Sequence, residues 1–122
     1  MRAALVILAV LALAAPAQAL TYREARALSV AQAKWKRLPC GGHVVMERID
    51  LHAAGYERAA GAAALVPCTI LFDRAQLRQF DWPLFCTTVV HEVGHLLGYG
   101  HSPERHSVMF WNPRDYWRCK LR

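Results

Sequence analysis

The run Val90-His91-Glu92-Val93-Gly94-His95-Leu96-Leu97-Gly98-Tyr99-Gly100-His101-Ser102 constrains the fold more than any other part of the chain. It places three histidines and a carboxylate in a stretch that otherwise suits the interior of a helix. The helix start lies upstream, at Asp81-Trp82-Pro83. There a capping carboxylate precedes a proline in the first turn, where a missing N–H costs nothing. The pattern predicts a helix through Leu97, stopped by Gly98, which accepts a left-handed backbone. His91 and His95, four apart, then project from one face on adjacent turns. That spacing suits two nitrogen ligands to one zinc ion, with Glu92 beside the first and free to reach water at the metal. The chain folds back after Gly98 and brings His101 in as the third ligand. Three protein ligands leave a position open, the mark of a catalytic rather than a structural zinc site.

The 122 residues allow one domain. Arg2, the apolar run from Ala3 to Ala15 and the small residues Pro16-Ala17-Gln18-Ala19 read as a signal peptide cleaved after Ala19. The run is short of the roughly 20 apolar residues a bilayer span needs. Residues 1–19 are therefore expected to leave, and 20–122 to fold. Four cysteines behind a secretory leader, with no C-x-x-C pair, predict two disulfides. The formal charge of +6 gathers at Lys34, Lys36 and Arg37 and again at Arg114, Arg118, Lys120 and Arg122. Trp35, Tyr116 and Trp117 lie among these, yet no nucleic-acid partner is expected. A secreted basic protein needs such charge only for solubility or loose attraction to anionic surfaces.

Elsewhere the elements are plainer. Thr21-Tyr22-Arg23-Glu24 is a capping box, and Leu28, Ala31, Trp35 and Leu38 follow at helical spacing, predicting a helix over Tyr22–Leu38 with that stripe in the core. Pro39 and Gly41-Gly42 stop it. His43–Leu51 reads as a strand, and Leu65–Phe72 as a second, with Pro67 arguing for an edge position or a start at Cys68. Ala53–Ala64 gives no clear signal. Asp73–Phe80 is expected to be a loop or a short turn of helix.

His91-Glu92-Val93-Gly94-His95-Leu96-Leu97-Gly98-Tyr99-Gly100-His101 matches the motif H-E-x-x-H-x-x-G-x-x-H at every fixed position, and so resembles the metzincin metallopeptidases. Ser107-Val108-Met109 is similar to that clan's methionine turn. Ser102 and the short spacing to Met109 look most like the matrixin branch. The resemblance implies a small α+β zincin domain. A twisted sheet would be backed by the first helix and followed by the active-site helix. It implies that His91, His95 and His101 hold one catalytic zinc, that Glu92 is the general base and acid, and that Met109 floors the site. Phe110, Trp111, Asn112 and Pro113 would wall the specificity pocket, and an extended substrate would join a sheet edge near Cys68–Phe72. No segment matching the family's structural zinc and calcium sites is evident. His43, His52 and His106 are expected on the surface. Trp111 stands where some relatives carry a tyrosine ligand, and Tyr116 is too far along for that role.

Leu38-Pro39-Cys40-Gly41-Gly42 is similar to the family's latency segment, in which a cysteine blocks the zinc. Using Cys40 so would leave an odd cysteine in an oxidising compartment. Three pairings are open to four cysteines. Placement favours Cys40 with Cys68 and Cys86 with Cys119, tying the helix end to the strand and the zinc helix to the tail.

The leading expectation is thus a secreted zinc endopeptidase, extracellular or periplasmic, monomeric, acting on protein or peptide and free of the membrane once the leader is cut. Two other classes compete: a non-catalytic disulfide-stapled module with a structural zinc, and a basic protein binding the cell surface. Glu92 separates the first from the structural-zinc module, since a structural site has no use for a carboxylate beside its first ligand, while salt-dependent retention without metal dependence would mark the surface-binding protein.

Overall fold

The computed structural model describes residues 19–56, 59–65 and 67–121. Apart from Ala19, the expected signal peptide lies outside the described residues. Helix α1 spans Tyr22–Trp35 and opens on its capping box. Thr21 Oγ1 accepts from the Glu24 N–H at 3.2 Å, and the Thr21 N–H donates to Glu24 Oε2 at 2.8 Å. The helix ends short of the expected Leu38. Lys36 turns left-handed at φ 63 and its N–H caps the Gln32 carbonyl. Leu38 is extended, as the residue before a proline must be. A tight 3₁₀ turn at Pro39–Gly42 follows.

Strands β1 (Val45–Ile49), β2 (Gly61–Leu65) and β3 (Cys68–Asp73) form one sheet in the order β1-β3-β2. β1 runs parallel to β3 and β2 antiparallel. The single strand expected over Leu65–Phe72 is thus two, because Leu65 closes β2 and pairs with Cys68 across the turn. β3 does begin at Cys68, but it is the central strand rather than an edge. Its β-branched and aromatic residues suit that place, with Ile70 and Phe72 fully enclosed. β2 has no strand signal of its own, being glycine and alanine up to Leu65. Its pairing with β3 makes it a strand, and its small side chains let the helix over Trp82–Leu96 close on it.

Asp73 caps helix α2 (Arg74–Leu77) through Oδ2, which accepts from the Gln76 N–H at 3.0 Å. Helix α3 (Trp82–Leu96) starts on Asp81, whose Oδ1 accepts from the Leu84 N–H at 3.0 Å. Every residue from Phe85 to Gly94 is buried, with Val89, Val90 and Val93 at zero exposure. Phe85 stacks on Phe72 with centroids 5.2 Å apart, and α1 packs along α3. Each fully buried large apolar side chain contributes about 1.5–3 kcal/mol. Arg23 Nη2 ties α1 to the start of α3, donating to the Phe80 carbonyl at 2.8 Å and the Asp81 carbonyl at 3.1 Å. Among the described residues no helix is long and apolar enough to cross a membrane.

Both disulfides pair as placement suggested. Cys40–Cys68 spans 6.4 Å between Cα atoms and anchors the turn after α1 to β3. Cys86–Cys119 spans 5.6 Å and anchors α3 to a 3₁₀ turn at Trp117–Lys120. Cys40 is therefore engaged and carries no free thiol. The Cys86–Cys119 bridge closes a sequence separation of 33. A loop of that order restrains the unfolded chain by about 3–4 kcal/mol. Replacing both residues by alanine should lower Tm by about 15 °C or more, read by thermal unfolding of the two proteins side by side. An unchanged Tm would show that this bridge is not a stabilising staple.

Candidate metal centre and its cleft

On α3, His91 and His95 lie one turn apart on one face. Gly98, at φ +96, reverses the chain. Its N–H bonds the His95 carbonyl at 2.9 Å, and the Tyr99 N–H bonds the Gly94 carbonyl at 2.9 Å. The reversal returns His101 to the same point. His95 Nε2 lies 3.0 Å from His91 Nε2 and 3.1 Å from His101 Nε2. Among the described residues this trio can hold one metal ion.

The donor set has the right protonation for a metal. His91 Nδ1 lies 2.7 Å from the Val108 carbonyl oxygen, and His95 Nδ1 lies 2.9 Å from that of Tyr99. A carbonyl only accepts, so both rings carry a proton on Nδ1, and in the neutral ring that leaves the Nε2 lone pair facing inward. Converging lone pairs repel one another unless a cation lies between them. Ligands about 2.0–2.1 Å from a tetrahedral zinc stand roughly 3.3 Å apart, close to the spacings here. Burial lowers the His91 pKa to about 4. The Val108 hydrogen bond opposes this, and His95 and His101 add to it. Burial, then the neighbouring His95, lowers that of His101. Both are neutral at pH 7, the form that ligates. Glu92 is 5% exposed, and burial alone raises its carboxyl to about 7.

The bracing of these ligands was not visible in the motif. The Ser102 N–H bonds the Met109 carbonyl at 2.8 Å, which stitches the strand leaving His101 to the methionine turn and sets the Val108 carbonyl under His91. Met109 is buried against Gly94. A Cβ there would collide with Met109 Sδ and come within 2.9 Å of Trp35 Cζ2. Trp35, read from sequence as core alone, also donates from Nε1 to the Val90 carbonyl at 3.0 Å. Its ring stacks on Tyr99, centroids 4.7 Å apart, and it is the Tyr99 carbonyl that orients His95. Its position one helix-length from the capping box gave no hint of this.

A cleft of about 670 Å³ opens over the trio. One wall is β2 with Ala59 and Ala60, and the other is Trp111–Arg114. The edge beside the site is thus β2, not the stretch Cys68–Phe72, which pairs on both sides. Glu92 lies between His91 and that edge. A Cβ on Gly61 would sit 3.2 Å from Glu92 Oε1 and 2.8 Å from Thr88 Cγ2, so only glycine lets strand and carboxylate come this close. Of the expected pocket residues, Trp111, Asn112 and Pro113 line the cleft. Phe110 instead lines a second cavity of about 660 Å³ behind that wall. His43, His52 and His106 are exposed, and Tyr116 braces α3 through its N–H to Thr87 Oγ1 at 3.2 Å.

Three inward imidazoles on a glycine-broken helix, open to solvent beside a sheet edge, are the layout of a metallopeptidase domain. Residues 40–120 match the family model described as matrixin, peptidase M10, and the chain belongs to the matrixin family. It matches no curated protein and no solved structure. Helix α1, with Trp35, lies ahead of the matched residues.

Two substitutions test the centre. Gly94→Ala should displace Met109, cost about 1–3 kcal/mol by overpacking and weaken zinc binding; thermal unfolding and chelator competition read the two effects. His101→Ala should weaken zinc by more than the roughly 10–100-fold typical of losing an outer partner. Unchanged zinc affinity in a titration would remove His101 from the ligand set.

Proposed function

We propose that the chain is a secreted zinc endopeptidase of the metzincin type, with His91, His95 and His101 as ligands and Glu92 as general base. The observation that carries this is the convergence of three imidazole Nε2 atoms beside a buried carboxylate in one cleft. A zinc ion bound there would supply Lewis acidity, acidifying water and polarising the scissile carbonyl. Glu92 receives the proton and returns it to the leaving amine. Its burial suits both halves, since a carboxyl raised to about 7 gives and takes a proton near neutral pH. His91 and His95 are held by carbonyls and need no reorganisation. β2 offers unpaired main-chain groups on its open side, against which an extended peptide can add as a strand. Trp111, Asn112 and Pro113 face that peptide from the opposite wall. A structural zinc site would fill its fourth position with protein and leave Glu92 idle. Residues 1–19 direct secretion to the extracellular space or periplasm, where the two disulfides form.

Glu92→Gln keeps size and shape but cannot accept the proton. It should retain zinc at one ion per chain while losing cleavage by about 10²–10⁴-fold. Metal content and cleavage of a mixed peptide library by mass spectrometry, on one preparation, check both halves. Turnover near that of the unaltered protein would sink the mechanism. Chelation should abolish cleavage and added zinc restore it.

A further inference from the structure

Among the described residues, the lining of the cleft carries little charge outside its reacting groups. Apart from the three histidines and Glu92, its lining is apolar or neutral, including Tyr56, Gln76 and Thr88, except for Arg114. Arg114 also lines the second cavity, so it stands on the rim between the two. That cavity holds a second guanidinium, Arg105, and one acid, Asp115. Asp115 is already matched, its Oδ1 lying 3.6 Å from Lys120 Nζ. Among the described residues neither Arg114 nor Arg105 has a salt bridge or side-chain hydrogen bond. Among the described residues, the wall Trp111–Arg114 therefore brings a cationic side chain with no ion-pair partner to the cleft, opposite the glycine and alanine of β2 that line it.

The geometry points to a substrate preference: the peptide lying along β2 carries a carboxylate at the position facing Arg114, with Arg105 adding long-range attraction from the second cavity. Guanidinium is the natural partner, since its fork meets both carboxylate oxygens. A lysine-bearing peptide meets the same wall with like charge. The carboxylate can come from an internal Asp or Glu side chain or from a free chain terminus. This inference rests on the peptidase reading of the same cleft.

The test uses the zinc-loaded protein and peptides of one sequence in which a single position is Glu, Gln or Lys. That position is moved in turn across the cleavage site, and each peptide is made with a free or amidated C-terminus. Glu should be favoured over Lys in kcat/KM by about three- to tenfold at one position, an effect of the size expected for an exposed charge pair and fading with salt. Arg114→Gln should flatten the preference and Arg114→Glu should invert it. If the preference follows the free terminus instead, the carboxylate recognised is that of the chain end. Equal cleavage of Glu and Lys peptides at every position, or a preference untouched in Arg114→Glu, overturns the proposal and leaves the peptidase reading standing. Absence of any cleavage sinks the peptidase reading. Anisotropy binding of the same labelled peptides to Glu92→Gln protein then decides this one, and Glu peptides binding no tighter than Lys peptides overturn it.

Discussion

The hydrogen bond from His91 Nδ1 to the Val108 carbonyl joins the two halves of the domain at the metal centre. Its geometry fixes which nitrogen of His91 bears a proton, and so which faces the cleft. It also requires residue 108 to pass beneath α3. That passage is secured by the Ser102–Met109 bond and by Met109 seated on Gly94. The methionine turn is therefore a backbone device first: its carbonyl holds His91, and its side chain fills the space that a glycine leaves. A helix so deeply enclosed has no freedom to reorient once those contacts form.

His95 is held by a parallel arrangement with a different origin. His95 is oriented by the Tyr99 carbonyl, Tyr99 by the Trp35 ring, and Trp35 by the Val90 carbonyl one residue before His91. α1 thus reaches the centre although it lies ahead of the residues matching the family. Partners at this remove set ligand orientation and basicity, which is why metal affinity depends on them.

The site was legible in the sequence where its chemistry is local. Histidines four apart on a helix, a glycine stop and a carboxylate beside the first imidazole need only helical geometry to be read. The capping box at Thr21–Glu24 and the helix start at Asp81 were readable for the same reason. The sheet was harder. β2 is made of residues with no preference for a strand, so its existence depends on β3, and splitting Leu65–Phe72 into two strands depends on a turn that Pro67 only hints at. The end of α1 depended on Lys36 adopting a left-handed backbone, which lysine does not advertise. The roles of Trp35 and Gly61 were hidden because each acts across the fold, on Tyr99 and on Glu92. Arg114 was read as one member of a basic cluster, and only the cleft singles it out.

The Cys86–Cys119 bridge has a consequence beyond stability. Together with the Thr87–Tyr116 hydrogen bond it pins the far end of the segment that begins at the methionine turn, while Ser102 pins the near end. Trp111 to Asp115 is therefore a span hung between two fixed posts, and none of its residues holds a ligand. Its sequence can be rewritten without loosening the imidazoles, so on the proposed peptidase reading selectivity would sit on an exchangeable cassette and chemistry on a frame that stays the same.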